Sequence, residues 1–227
     1  MRLDRAMITT LLLSLALSAQ DAATAQPEPA AEARTAVPAP AMSDAERREA
    51  LAGVNAALNA IDTLQARFVQ TNPDGSPATG TLSVRRPGRL RFEYDTPTPV
   101  LIVADGTTVA IQDTELETVD RVPIRSTPLW WILKSDVDLT EDAIVRDVWR
   151  EDGFLYVGLE DADEDVEGSA LFLFDAETYA LSQWFATDAA GMTTRLVLED
   201  VETDLSLNPR LFILEDADAR DSRRDRR

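Results

Sequence analysis

The chain has 227 residues, of which 41 are acidic and 22 basic, with a formal net charge of −19 and neither cysteine nor histidine. The acidic balance argues against a nucleic-acid partner, because affinity for phosphates comes chiefly from lysine and arginine. Without Cys or His, disulfides, thiolate chemistry, the commonest general base and the commonest transition-metal ligands are missing, so the sequence disfavours an enzyme or a metal site.

The first 25 residues have the pattern of a secretory signal peptide. Arg2 and Arg5 precede an apolar run that ends at Leu17, and small residues follow up to a predicted cleavage site after Ala25. The apolar run is too short to span a membrane, and no cysteine follows it to carry a lipid. We therefore predict an exported, soluble mature protein.

Two segments of biased composition flank the predicted folded domain, residues 43–214. Residues 26–42 are rich in alanine and proline and predict a semi-extended linker. Residues 215–227 contain only charged residues, serine and alanine, with arginine at four of the last five positions, and predict a charged, disordered tail.

One amphipathic helix opens the folded domain. Ser43 and Glu46 fit a capping box, and apolar residues then recur at intervals of three and four from Leu51 to Leu64. A second, short and strongly apolar helix is predicted over Leu129–Leu133, with Thr127 as its N-cap and Pro128 in its first turn.

Between and after these helices the period changes to two, which predicts antiparallel strands with one apolar face. Leu82 and Val84 alternate with polar neighbours, and Asp105-Gly106 marks a tight hairpin turn. Further apolar runs occur at residues 144–149, 154–159, 170–174, 181–187 and 193–201. The pattern predicts about ten or eleven strands in a strongly curved sheet wrapped around the helices.

Several short motifs then carry a family resemblance. In chain order they are Phe68 and Gln70, Gly80, Arg86-Pro87, Phe92 and Tyr94 before Pro97, Val103-Ala104-Asp105-Gly106, Thr127-Pro128-Leu129, and Phe212. Their order and spacing, over roughly residues 45 to 214, resemble the LolA family of periplasmic outer-membrane lipoprotein carriers. The resemblance implies a mainly β fold with helices, an incomplete, half-open antiparallel β-barrel around a helical lid.

The function implied by the resemblance is transport rather than catalysis. A LolA-like protein shields the acyl chains of a lipoprotein in an apolar cavity and delivers them through the periplasm from the inner to the outer membrane. The implied partners are the acylated cargo, an inner-membrane lipoprotein-releasing ABC transporter complex and an outer-membrane receptor. We expect a monomer that needs no cofactor and no metal.

The residues expected to serve that function are one arginine and an apolar set. By analogy with the family, Arg86 hydrogen-bonds the lid and keeps it closed when the carrier is empty. The residues expected to line the acyl cavity are Leu58, Ile61, Leu82, Val84, Leu90, Phe92, Tyr94, Val103, Trp130, Trp131, Leu133 and Phe172. For each of these apolar residues, ordinary core packing is the competing interpretation.

Other interpretations stay open at this point. The acidic run Asp161–Glu167 resembles the start of a calcium loop, but Val166 stands where the turn glycine belongs, which favours a solvated loop. A carrier of another amphiphile, such as a glycolipid, fits the same cavity. A lipoprotein-sensing regulatory module of the same fold is disfavoured because no second globular domain is evident.

Overall fold

The computed structural model describes residues 42–160 and 168–214. The predicted signal peptide, almost all of the predicted linker, the acidic run Asp161–Glu167 and the predicted tail lie outside the described residues. In the described part, no helix combines the length and the apolar character needed to cross a membrane.

The described chain forms one antiparallel sheet of 11 strands, with few helices, in the order β6-β5-β4-β3-β2-β1-β11-β10-β9-β8-β7. The helices are α1 (Asp44–Asn59), α2 (Leu129–Leu133) and α3 (Leu139–Asp142), with 3₁₀ turns at Ile124–Ser126 and Pro209–Phe212. The strands are β1 (Thr63–Thr71), β2 (Pro77–Arg85), β3 (Arg89–Tyr94), β4 (Val100–Asp105), β5 (Thr108–Asp113), β6 (Thr118–Pro123), β7 (Ile144–Glu151), β8 (Phe154–Glu160), β9 (Ser169–Asp175), β10 (Leu181–Thr187) and β11 (Thr193–Thr203).

The topology confirms the predicted open antiparallel sheet of about ten or eleven strands. Neighbouring strands follow one another along the chain except at the centre, where β1 pairs with both β2 and β11. The sheet ends at β6 and β7, which do not pair with each other, so the barrel is not closed.

Helix α1 begins as predicted but ends earlier. Its capping box is present, with the Ser43 N–H donating to Glu46 at 2.8 Å and the Glu46 N–H donating to the Ser43 hydroxyl at 3.3 Å. The prediction that the helical pattern continues to Leu64 is wrong, because α1 ends at Asn59 and Leu64 lies in β1. Pairing of β1 with β2 from Thr63 onwards satisfies the backbone there.

The predicted helix over Leu129–Leu133 is present as α2, but Thr127 does not cap it. The Thr127 hydroxyl donates to the carbonyl of Ile124 at 2.7 Å, and no side chain in the described part of the protein caps α2. The hydroxyl is therefore already bonded to a carbonyl of the preceding 3₁₀ turn, a local side-chain-to-backbone bond that threonine often forms.

The buried apolar side chains form two clusters that meet at α2. One lies between β1–β5, β11 and the residues Ile124 and Leu133. The other joins α1 to α3, β8 and β9. Ile132, Leu181 and Trp184 pack against both clusters, so α2 and β10 lie at the junction of the two halves of the interior.

Gly53 allows α1 to approach the turn between β9 and β10 closely, at the ring of Tyr179. A Cβ atom there would lie 2.5 Å from the ring of Tyr179. Arg150 holds that ring in place: it donates a hydrogen bond to the Tyr179 hydroxyl at 3.1 Å, and its guanidinium lies 5.7 Å from the ring centroid. The position of α1 over the sheet therefore depends on residue 53 having no side chain.

Replacing Gly53 by alanine is expected to lower the melting temperature by about 3–6 °C. Alanine gains about 1 kcal/mol of helix propensity, but overpacking against Tyr179 costs about 2–3 kcal/mol. Thermal unfolding followed by circular dichroism measures the change. Gly158→Ala is the control, because its Cβ would meet neighbours at an ordinary 3.6–3.8 Å. A Gly53→Ala protein that melts higher than wild type would contradict the steric role.

Candidate functional site

Two small apolar cavities lie on either side of α2. One, which we call the upper cavity, has a volume of about 60 Å³, and the other, the lower cavity, has a volume of about 50 Å³. Leu129, Ile132 and Trp184 line both. Ligand pockets typically measure about 300–1,000 Å³, so with α2 in place neither cavity has room for a long hydrocarbon chain.

Strands from both halves of the sheet enclose the upper cavity. Its walls include Phe92 of β3, Ile102 of β4, Phe172 of β9 and Leu196 of β11, which shows that the sheet curves around α2. Alternation along each strand turns these apolar side chains to one face. Because Leu129 and Ile132 of α2 line both cavities, we call the two cavities together with the space that α2 occupies the chamber.

Nine of the twelve residues predicted to line an acyl cavity line one of these two. Leu58, Ile61, Leu82, Val84, Leu90 and Leu133 line the lower cavity, and Phe92, Tyr94 and Phe172 line the upper cavity. The structure therefore brings most of the predicted set together around α2.

Val103, Trp130 and Trp131 are not among the residues that line the two cavities. Val103 is buried, but its neighbours Ile102 and Ala104 belong to the cluster on the cavity side, so Val103 points to the opposite face of the sheet. Trp131 packs with the α1 cluster. The ring of Trp130 lies 4.8 Å from the guanidinium of Arg125.

Leu129, Ile132 and Trp184 line both cavities but were not predicted to do so from the sequence. Leu129 and Ile132 are three residues apart, a spacing that places both on one face of a helix. That signal was present in the sequence, but it was masked by a run in which every residue is apolar. Trp184 is followed in β10 by a second aromatic residue, Phe185, so alternation of apolar and polar residues did not single it out.

Arg86 connects the sheet to both α1 and α2. Its Nε and Nη2 donate to the carbonyl of Lys134, the residue that follows α2, at 3.0 and 2.6 Å. Its Nη1 donates to the carbonyl of Leu58 near the end of α1, with a longer contact of 3.5 Å to that of Ile61. Nη2 also donates to Asn59 Oδ1 at 2.9 Å. One side chain thus satisfies carbonyls at the ends of two helices.

The guanidinium of Arg86 is half-buried over the lower cavity. Burial lowers its pKa from the usual value, and the negative charges of Asp62 and Asp136 partly restore it. Because the ordinary pKa of arginine lies above 12, the side chain stays charged at neutral pH. Its bonds to carbonyls are therefore charge-assisted, and these are stronger than bonds between neutral groups.

Two asparagines of α1 hold the loop that follows α2. The Asn59 amide donates to the carbonyl of Val137 at 2.9 Å and accepts from its N–H at 2.8 Å. One turn earlier, Asn55 donates to Asp138 at 3.1 Å and accepts from the Leu139 N–H at 3.1 Å. Helix α1, this loop and Arg86 therefore form one hydrogen-bonded unit.

A larger, more polar cavity of about 340 Å³ lies beyond the upper cavity. We call it the vestibule; it is lined by Gln70, Asn72, Ser76, Pro77, Ala78, Tyr94, Pro97, Thr98, Pro99, Val100 and Glu115. Tyr94 and Gln70 also line the upper cavity, so this pair forms the wall between the two spaces. The Tyr94 hydroxyl donates to Gln70 Oε1 at 2.7 Å, and burial raises the pKa of Tyr94 above its usual value.

Comparison with known proteins identifies relatives over most of the described chain. The family model described as outer membrane lipoprotein carrier protein LolA matches residues 59–215. An outer-membrane lipoprotein carrier protein of Methylococcus capsulatus is 30% identical over 164 residues, which cover 68% of this chain and 78% of that protein. A protein of the same name from Chromobacterium violaceum is 27% identical over 170 residues, or 72% of this chain and 82% of that protein.

Among solved structures, a LolA superfamily protein from Nitrosomonas europaea is similar to this chain with a TM-score of 0.43 and 11% identity. The match covers 73% of this chain and 98% of that one.

Proposed function

The chain belongs to the LolA family of outer-membrane lipoprotein carrier proteins, and from that premise we propose that it encloses the acyl chains of a lipoprotein beneath α2 and carries them through the periplasm. The transfer runs from the inner membrane to the outer membrane. This is a carrier family and not an enzyme family. The observation that carries the proposal is α2 itself, an apolar helix of five residues between two apolar cavities.

The physical requirement for such a carrier is an enclosed apolar space. Each methylene group exposed to water costs about 0.8 kcal/mol, so a chain of about sixteen carbons requires on the order of 10 kcal/mol of burial. A shallow surface patch leaves much of the chain in water. The space that α2 occupies is lined by apolar side chains on both sides, so an acyl chain can take the place of Leu129 and Ile132.

Release requires an empty state whose stability is comparable to that of the loaded state, because a partner shifts an equilibrium only by its differential affinity for two states. We assign that role to Arg86, which joins α1 and the end of α2 when both are seated. Loading breaks these bonds and fills the chamber with hydrocarbon; unloading restores them. The inner-membrane lipoprotein-releasing ABC transporter complex loads the cargo in this scheme, and an outer-membrane receptor accepts it.

Mass spectrometry of the protein purified from its native periplasm tests this function. A co-purifying acylated polypeptide is the expected result. A free glycolipid in its place would mean that the chamber carries another amphiphile. A protein partner without any lipid would indicate a regulatory module of the same fold and contradict a carrier role.

A further inference from the structure

The polar side chains of the chamber are concentrated in the upper cavity. Gln70, Tyr94, Thr127 and Thr194 line it together with apolar residues, and Gln70 is only 7% exposed. The lower cavity, by comparison, is lined by aliphatic side chains, Trp184 and Arg86. These groups are bonded within the protein, for example Tyr94 to Gln70 and Thr127 to the carbonyl of Ile124, but a pure hydrocarbon makes no use of hydrogen-bonding groups in the wall of its cavity.

The Tyr94–Gln70 pair starts a chain of hydrogen bonds that leads out of the cavity. The Tyr94 hydroxyl donates to Gln70 Oε1 at 2.7 Å, and Gln70 Nε2 donates to Asn72 Oδ1 at 2.7 Å. Asn72 in turn donates to the Ser76 hydroxyl at 2.9 Å. Asn72 and Ser76 line the vestibule, so polar groups continue from the cavity wall into that larger space.

The Tyr94–Gln70 pair has the donors and acceptors that an ester or amide needs. Gln70 has two N–H groups and uses one for Asn72, so the second can donate to a carbonyl of the cargo. The Tyr94 hydroxyl gives its proton to Gln70, and its oxygen can accept from an amide N–H of the cargo. The ring of Tyr94 is fixed against Phe68, with ring centroids 5.0 Å apart. Both side chains are therefore held at the boundary between the upper cavity and the vestibule.

The chamber, the Tyr94–Gln70 pair and the vestibule follow one another in space. A lipid-modified polypeptide has matching parts in the same order: acyl chains, ester and amide linkage, and peptide. The apolar chamber matches the acyl chains, the Tyr94–Gln70 pair matches the ester and amide groups that join them to the polypeptide, and the vestibule of about 340 Å³ matches the polar residues that follow. The vestibule is also several times larger than either apolar cavity in the closed state.

We propose that Tyr94 and Gln70 bind the ester and amide linkage of the cargo, and that the polypeptide leaves the carrier through the vestibule. This inference rests on the proposed carrier function and adds the orientation of the cargo to it. The pair sets specificity: it favours amphiphiles that carry carbonyl groups directly next to the acyl chains over hydrocarbons that have none.

The test compares two probes on the mature protein. One is a synthetic peptide whose N-terminal cysteine carries a diacylglyceryl group with two sixteen-carbon chains; the other is diphenylhexatriene, a hydrocarbon that fluoresces in apolar surroundings. Direct titration gives the Kd of diphenylhexatriene, and its displacement gives the Kd of the lipopeptide. Tyr94→Phe keeps the ring in the cavity wall and removes only the hydroxyl, so the ratio of the lipopeptide Kd to the diphenylhexatriene Kd is expected to rise about 5- to 10-fold, the effect of one lost hydrogen bond. Tyr156→Phe, on the edge hairpin β7–β8, is the matched control.

A second variant tests the exit path. Thr98 lines the vestibule but neither apolar cavity, so Thr98→Trp fills the vestibule and is expected to weaken lipopeptide binding at least 10-fold while leaving diphenylhexatriene binding unchanged. Thr96→Trp, at an exposed position of the same turn, is its control.

The outcomes separate this inference from the proposed function. If wild type binds the lipopeptide and both Tyr94→Phe and Thr98→Trp bind it equally well, the carrier function stands and the linkage site is wrong. Equal weakening of both probes would assign Tyr94 a structural role and overturn the inference. A wild-type protein that does not bind the lipopeptide at all would contradict the carrier function itself, and the linkage site with it.

Discussion

Replacing Arg86 by leucine is expected to leave acyl-chain binding intact and to slow delivery to an acceptor about 100-fold. The variant loses the charge-assisted bonds to Lys134, Leu58 and Asn59 that hold α1 and α2 together. Bonds of this kind contribute about 1.5–3 kcal/mol each and are not additive, so a loss of about 3 kcal/mol from the closed, empty state is expected. Since 1.4 kcal/mol is a factor of ten, the loaded state gains about 100-fold over the empty one.

The measurement has two parts. Titration with a fluorescent acyl probe should give a Kd equal to or below that of wild type, and transfer of the bound probe to acceptor membranes should be slow. Arg85→Leu is the control, because Arg85 lies next to Arg86 in the chain and makes no side-chain hydrogen bond to other residues in the part that the structure describes. Rapid delivery by Arg86→Leu would show that other contacts set the closed state.

Replacing Trp184 by alanine is expected to destabilise the empty protein by about 3 kcal/mol and to make its stability depend strongly on ligand. Trp184 forms a wall of both cavities and packs against Phe92 and Phe172, with ring centroids 6.4 and 6.5 Å apart. Removing a large core side chain costs the transfer free energy of the lost atoms and leaves a cavity. That cavity joins the upper and lower ones, and hydrocarbon can fill it.

Thermal unfolding with and without diphenylhexatriene measures both effects. The ligand is expected to raise the melting temperature of Trp184→Ala more than that of wild type, because a ligand that binds the folded state stabilises it by mass action. Trp149→Ala is the control: Trp149 stacks on Tyr156 at 4.6 Å in the edge hairpin β7–β8 and lines neither cavity. If Trp184→Ala responds to the ligand no better than Trp149→Ala, Trp184 is not part of the acyl chamber.

Part of the lining of the interior could be predicted from the alternation of apolar and polar residues along the strands. Alternation placed Leu82, Val84 and Phe92 on the apolar face of the sheet, and each of them lines one of the two cavities, because side chains alternate between the two faces of a strand. The same rule would have placed Val103 on the opposite face, since its neighbour Ile102 points inward, but a continuous apolar run hid the alternation. Where a strand is buried on both faces, hydrophobicity no longer marks the side that faces the cavity.

The face of α2 that lines the cavities could not be predicted from the sequence either. All five of its residues are apolar, so the sequence predicted a buried helix without indicating which side faces the cavities. Of the three helix residues predicted to line the cavity, Trp130, Trp131 and Leu133, only Leu133 does so, in the lower cavity. Leu129 and Ile132, which were not predicted, line both cavities. The orientation of so short a helix is set by packing against the sheet and not by its own periodicity.

The sequence by itself determined the features that depend on near neighbours: the capping box of α1, the hairpin at Asp105-Gly106, the number of strands and the apolar character of α2. These follow from backbone sterics and from the helix and strand periods, which act over a few residues. Only the tertiary structure decided that Arg86 reaches carbonyls 28 and 48 residues away along the chain and that Gly53 makes room for Tyr179. It also decided that Tyr94 and Gln70 lie between the apolar upper cavity and the more polar vestibule. Contacts of this kind depend on how eleven strands curve around one short helix, and no local pattern encodes that arrangement.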